Sequence, residues 1–418
     1  MELKKNFDFR TRMAFFENFL ITRFAFKSKR PFSKLIIGIA ISGIALGLSV
    51  MICSVSIMNG FQSTIKNKLR GFSGDLVISL FSLNESPEND PFILESSKIV
   101  QMRKISGVES VSGFATKAGI ISYKGDIEGI IFKGISTQNQ LQFFTDRLIS
   151  GFGLVLPRDS ISSQVLLSNA IAKSLNIFVG DKITINFIQE PIRKRRLTVT
   201  GIYDLGMDEL DKVYLVGDLR LIQRLNNWKS AQIGGLEINF KKEAPNLQIV
   251  DQLSKILPLR LRIFPINQIY PQLFDWLSLT EVNVKVIIIL MLLVGGINMI
   301  SALLIMILER TATIGILKAI GATNGQISKV FLGIASYLII FGIALGDFLG
   351  IGFCYLQNKY HFIKLNQETY YMAYVPIQFS WYSTIALNLG TFSVCLIMIL
   401  VPSILVGRIN PVKAIRFR

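Results

Sequence analysis

Four long apolar runs set the pattern of this chain, at about 35–58, 286–308, 330–356 and 382–407. Each is long enough to cross a hydrocarbon core of ~30 Å at ~1.5 Å per helical residue. They predict four transmembrane helices. Between the first two runs lies a long stretch, 59–283, whose hydrophobic period shortens to two. "DLVISL" (75–80), "GIISYKG" (119–125), "KITINFI" (182–188), "RLTVTGIY" (196–203) and "GGLEINF" (234–240) read as strands bounded by turn residues. "SNAIAKSLN" (168–176) and "VGDLRLIQRLNN" (216–227) read as short helices, and chain order suggests two lobes divided near 151–164. "NLQIVDQLSKIL" (246–257) and "YPQLFDWLSLTEVNVKV" (270–286) look helical, the latter as a stalk leading into the second span. The fold class is therefore an α-helical integral membrane protein. Its four transmembrane helices carry a large mixed α/β extracytoplasmic domain between helices one and two.

Composition agrees with this division. The chain has 418 residues, 50% hydrophobic and 17% charged, too apolar and charge-poor for an ordinary soluble protein. Residues 1–34 hold nine Lys/Arg against three acids, 309–329 three against one, and 408–418 four against none. The positive-inside rule puts all three segments in the cytoplasm, and long translocated domains such as 59–283 do not follow that rule. An outer loop, 357–381, joins the third and fourth spans. The inner segments supply +12 of the +17 net charge, so the excess reflects topology and no nucleic-acid partner is expected. The first run is too long for a cleaved signal peptide and has no Ala-x-Ala site after it, so it reads as an anchor. Before it, "FFENFLITRFAFKSKRPFSK" reads either as an amphipathic segment on the inner surface or as plain flanking charge.

Chemistry is sparse. Cys53, Cys354 and Cys395 all fall in apolar runs, and His361 is the single histidine, so neither a disulfide framework nor a His/Cys metal site is expected. No Gly-Lys dipeptide, His-Glu-x-x-His, Gly-x-Ser-x-Gly or Cys-x-x-Cys occurs. The acids of "MDELDK", Asp208, Glu209 and Asp211, read as solvated turn carboxylates. The chain is expected to be non-catalytic and to bind no cofactor, and if energy is consumed a partner must hydrolyse the nucleotide. Inside the spans, Gly43 and Gly47, with Gly38 and Ser42, form one small-residue stripe, and Gly342, Gly346 and Gly350 form another. Such stripes let helices approach closely, either within one subunit or between two that shift. Asp347 is the one acid well inside an apolar run. It either pairs with Lys285 at the outer end of the second span or sits solvated near the outer face.

The most specific stretch follows the second span. "ERTATIGILKAIGA" resembles the cytoplasmic loop of the FtsX-like/MacB-type ABC permeases, in Glu309, Arg310, Ile314, Gly315, Leu317, Lys318, Ala319, Gly321 and Ala322. The Lys318 position usually carries Arg. "SGIALGLSVMICSVSIMNGFQ" (42–62), "LLSNAIAKSLNIFVGDKITI", "RLTVTGIYDLGMDELDKVYLVGDLRLIQRLNNW" and the tail "VPSILVGRINPVKAIRFR" are similar to the LolC/LolE lipoprotein-releasing branch.

The resemblance implies the MacB-like (type VII) architecture and an inner-membrane location, with the loop 309–329 acting as a coupling helix seated on a LolD-like ATPase dimer. It implies a second permease copy or paralogue, lipoprotein substrates drawn from surrounding membrane lipid, and a LolA-like periplasmic carrier. Met58, Asn59, Gly60 and Phe61 would lie at the outer mouth of a cargo cleft. In the branch member that docks the carrier a long loop hooks out between two strands. Here the corresponding "QEPIRKRR" (189–196) is short and basic. Pro191, Arg193 and Lys194 are therefore candidate carrier contacts, with an ordinary hairpin turn as the alternative. An FtsX-type signalling permease acting on a cell-wall hydrolase and a MacB-type efflux permease are the competing functions.

Overall fold

A computed structural model describes residues 31–81, 88–157, 160–241 and 246–407. Most of the expected N-terminal amphipathic segment and the tail 408–418 lie outside these residues. The chain divides into two compact units. One, the helical unit, holds the chain to Phe61, Leu277–Ile363 and the chain from Val375. The other, the sheet unit, holds Gln62–Trp276 and Lys364–Tyr374.

Among the described residues, four helices are long and apolar enough to cross a membrane. They are α1 (Pro31–Ser73), α9 (Pro271–Glu309), α11 (Asn324–Tyr360) and α13 (Trp381–Gly407). The first does not stop where its apolar run ends at Met58. Beyond that point Ile65, Leu69 and Phe72 recur at helical spacing and are all buried, so an amphipathic pattern continues the helix in polar sequence. Gly74 ends it at φ 77°, its N–H donating to Arg70 O at 2.8 Å.

In the helical unit, Ile36, Ala40 and Ile44 share a core with Met299, Leu303, Ile334, Leu338, Cys395 and Ile399. The glycine stripes make this packing possible. A Cβ on Gly342 would stand 2.8 Å from Ile44 Cβ, and one on Gly346 would stand 2.9 Å from Ala45 O. Gly350 faces Ser49 and Ile52 in the same way, while a Cβ on Gly43 would meet Asn298 Nδ2 at 2.7 Å and Gly47 faces Met291. Gly342, Gly346 and Gly350, with Gly43 and Gly47, are taken up within one chain, whereas Gly38 and Ser42 are exposed.

The sheet unit contains strands β1 (Leu76–Leu80), β2 (Phe92–Ile93), β3 (Val108–Tyr123), β4 (Asp126–Ile135), β5 (Leu148–Gly151) and β6 (Gln164–Ser168). They continue with β7 (Lys182–Phe187), β8 (Arg193–Tyr203), β9 (Tyr214–Asp218), β10 (Gln232–Ile233), β11 (Gly235–Phe240) and β12 (Leu261–Pro265). The main sheet runs β12-β1-β11-β3-β4-β9-β6-β8-β5, and β7 pairs with both β3 and β8. Those last pairings close β3, β4, β9, β6, β8 and β7 into a ring. The pairs β4/β9 and β6/β8 are parallel. Alternation makes these strands legible. Ile183, Ile185 and Phe187 are buried on β7, and Leu197 and Val199 on β8, between polar neighbours.

The helices between the strands are α2 (Ser96–Lys104), α3 (Gln138–Thr145), α4 (Asn169–Ser174), α5 (Asp208–Asp211), α6 (Leu219–Leu225), α7 (Asn246–Ile256) and α8 (Ile266–Ile269). Where one helix was expected over 216–227, the chain first forms β9. Asp218 then caps α6, accepting from Arg220 N at 2.9 Å.

Among the described residues the sheet unit has two cores, but they do not divide at 151–164. One draws on Leu76, Ile78, Val111, Leu236, Ile238 and Leu253, so it joins both ends of the unit. The other draws on the intervening chain from Ala115 to Leu225. Long β3 contributes to both. The expected boundary fails because β5 and β6, on either side of it, both pair with β8.

Candidate functional site

The stretch after the second apolar run is a sequence of helix-end devices. Arg310, at φ −101° and ψ 12°, interrupts α9 after Glu309. Thr311 Oγ1 then donates back to Leu308 O at 2.6 Å, and α10 (Thr311–Ala319) begins. It closes with Gly321 N–H donating to Lys318 O at 3.0 Å and Ala322 N–H to Leu317 O at 2.9 Å. Gly321 sits at φ 104°, which a side chain would resist. Thr323 next caps α11 in a capping box, its N–H donating to Gln326 Oε1 at 2.8 Å.

Burial divides α10 into two faces. Ile314 and Gly315 are buried, Ile314 within the core of the helical unit, and Leu317 and Lys318 are half-buried. The opposite face exposes Ala312, Ile316, Ala319 and Ile320, with Ile316 52% and Ile320 80% exposed. This leaves an apolar face of α10 open between two long apolar helices. The residues carrying the resemblance thus perform different tasks. Ile314 anchors the helix, Gly321 ends it, and Glu309 and Arg310 mark its bend from α9. Gly315 is buried within the chain itself. The exposed face was legible from the 3.6 period, which aligns residues 312, 316, 319, 320 and 323.

Other expected site residues resolve as follows. Lys285 does not pair with Asp347. Its Nζ lies 2.8 Å from Glu281 Oε1, one turn back on the same helix, while Asp347 Oδ2 accepts from Asn388 Nδ2 on α13 at 2.8 Å. A local i,i+4 partner is already in reach for the lysine, and an amide on the adjacent helix serves the acid. Met58 and Asn59 are half-buried in the body of α1, whereas Gly60 and Phe61 are buried by the chain itself, and a Cβ on Gly60 would meet Pro376 O. Pro191 lies in the short β7–β8 turn and Lys194 is exposed on β8. Arg193 points back instead, Nη1 donating to Leu225 O at 2.8 Å and Asn227 Oδ1 at 3.2 Å, where it caps α6.

The acidic turn of the sheet unit is more than solvated carboxylates. Asp211 is 3% exposed and accepts the N–H groups of Met207 at 3.0 Å and Leu205 at 3.2 Å. Burial pushes its carboxyl up to about 6 against the pull of those donors. Lys133 and Glu237, both nearly inaccessible, pair at 2.6 Å. Lys133 also donates to Phe72 O at the end of α1 and stands 4.1 Å from the Phe72 ring centroid, while Gln140 Nε2 reaches the other Glu237 oxygen at 2.7 Å. Ser73 and Tyr270 hydrogen-bond at 2.6 Å, and with Phe72, Lys133 and Glu237 they line a cavity of about 250 Å³. The end of α1 is thereby fixed to the sheet by a buried charge-assisted network.

The model of the MacB-like periplasmic core domain matches residues 37–256, and that of the FtsX-like permease C-terminal matches residues 285–411. The chain belongs to the FtsX-like/MacB-type ABC permeases. Among similar curated proteins, the lipoprotein-releasing system transmembrane protein LolC of Neisseria meningitidis serogroup B is 21% identical, with 94% of this chain and 96% of the relative covered. LolE of Haemophilus influenzae is also 21% identical, with 93% and 96% covered. The macrolide export ATP-binding/permease protein MacB of Bdellovibrio bacteriovorus is 21% identical over 91% of this chain and 59% of its own length. The periplasmic region of MacB from Actinobacillus actinomycetemcomitans aligns with a TM-score of 0.34 at 16% identity, covering 51% of this permease and 99% of that structure.

Proposed function

We propose that this permease works in an ATP-driven complex that extracts lipoproteins from the outer leaflet of the inner membrane and passes them to a periplasmic carrier. A lipid anchor with roughly 40 buried CH₂ groups would cost on the order of 30 kcal/mol to expose to water at ~0.8 each, so release needs an energy source and a covered route. The ATPase is a separate, LolD-like dimer holding ATP and Mg, and a second permease copy or paralogue completes the membrane part. The termini and α10 face the cytoplasm, following the Lys/Arg bias of the flanks. The sheet unit faces the periplasm.

The observation that carries this reading is the exposed Ala312, Ile316, Ala319 and Ile320 face of α10, directly after a long apolar helix. It supports a mechanical role in which ATPase closure moves α10, and with it α9. The full-length LolC and LolE relatives supply the cargo class. Nothing in the account requires chemistry from the permease itself. The test is co-purification with the cognate ATPase, followed by ATP-dependent release of a lipoprotein from reconstituted vesicles. Release that requires both subunits supports the reading. ATPase stimulation without release favours the signalling function instead.

A further inference from the structure

Residues 364–374 follow α11 in the chain and lead back towards α13, yet they belong to the compact sheet unit and not to the helical one. The segment is closed at its base. Lys364 and Tyr374 form a β-bridge and Leu365 N–H donates to Ala373 O at 2.9 Å. At the flanks, Val375 N–H donates to Ile363 O at 3.1 Å. The wholly buried Gln357 reaches the same two residues, donating to Val375 O at 3.2 Å and accepting from Ile363 N–H at 3.0 Å.

Within the sheet unit the segment meets the turn 204–211. Tyr371 OH donates to Glu209 Oε1 at 2.8 Å, and Gln367 Nε2 donates to Asp204 Oδ1 at 3.2 Å. From α1, Lys68 Nζ donates to Tyr371 O at 2.6 Å, and the Trp276 ring packs edge-on to Tyr371 with centroids 6.3 Å apart. The turn is shaped for this contact. Gly206, at φ 63°, would with a Cβ stand 2.8 Å from Gln367 Nε2 and 3.0 Å from Lys68 Nζ. Asp204 divides its carboxylate between the turn and the segment, Oδ1 also accepting from Gly206 N–H at 2.7 Å and Oδ2 from Asn169 Nδ2 at 3.0 Å. An open groove of about 760 Å³, lined by Asp208, Lys212, Asn366 and Gln367, runs beside the contact and gives water access to it.

We propose that residues 364–374 are a strap that clasps the 204–211 turn and so couples α11 and α13, whose ends it joins, to that turn. The hydrogen bonds from Tyr371 and Gln367 to the turn border the open groove, so the clasp opens without disturbing either hydrophobic core. Tyr371 stays a phenol throughout the physiological range, since burial and the Glu209 carboxylate push it up to about 12, and it keeps its proton to donate. This coupling does not depend on the cargo assigned above.

Hydrogen exchange on the full-length permease in lipid nanodiscs tests the strap by changing one segment and reading the other. Tyr371→Phe is expected to speed exchange of 204–211 by about tenfold, and Glu209→Leu to do the same for 364–374. Glu209→Gln keeps an acceptor and is expected to leave both segments near wild type. Exchange in β8 and β9 is expected to be unchanged in all three variants. Acceleration confined to the substituted segment would overturn the proposal. So would acceleration spreading through β8 and β9, because the contacts would then hold the whole domain and not a clasp.

Discussion

Asn388 Nδ2 on α13 donates to Asp347 Oδ2 on α11 at 2.8 Å, and Asp347 Oδ1 has no hydrogen-bond partner among the described residues. The acid therefore depends on this single amide. Asn388→Leu is expected to lower stability by about 1–3 kcal/mol, because a partly buried carboxylate oxygen loses its donor. The double variant Asp347→Leu/Asn388→Leu is expected to recover much of that loss. Thermal unfolding in a fixed detergent measures both, and a double variant worse than the single would contradict this pairing.

The glycine contacts make a graded prediction. A Cβ on Gly346 would crowd Ala45 O, whereas one on Gly352 meets nothing within 4 Å. Gly346→Ala is expected to cost about 1–3 kcal/mol, as overpacking does, and Gly352→Ala to be neutral or slightly stabilising. Equal melting temperatures for the two would remove the argument for close α1–α11 packing.

Lys133→Met leaves Glu237 buried with only the Gln140 amide, so a loss of about 3–5 kcal/mol is expected in the sheet unit. Lys133→Met/Glu237→Leu should be milder than Lys133→Met alone. Urea-induced loss of exchange protection in β4 and β11 reports it.

Asp211 sets a pH dependence with a definite sign. Its folded-state value of about 6 lies above the unfolded ~3.9, so the folded chain keeps a proton that the unfolded chain has lost. The stabilising contribution is complete below about 4, declines as pH rises through about 6, and is absent above that. Relative to Asp211→Asn, wild-type protection of the Leu205 and Met207 amides is expected to increase as pH falls from 7 to 5. An unchanged difference would show that the carboxyl does not titrate there.

Much of this architecture is legible in residue order because period and length are local properties. The four apolar helices, β7, β8, β11 and the helix 246–257 all follow from them. Long-range pairing is not local. Nothing near 151–164 reveals that β5 and β6 both pair with β8, and no period assigns 364–374 to the sheet unit. Lys285 illustrates the same limit, since Glu281 competed successfully for it from one turn away. On α10 the motif positions were visible, but their tasks required burial to separate Ile314 and Gly315 from Ile316 and Ile320.

The most direct measurement is ATP-driven lipoprotein release in vesicles holding this permease and its ATPase, with Ile316→Asp/Ile320→Asp on the exposed face of α10. The account predicts normal membrane insertion with release reduced at least about tenfold, because a charged face no longer seats on the ATPase. Release at the wild-type rate from that double variant would contradict the assignment of α10 as the coupling helix.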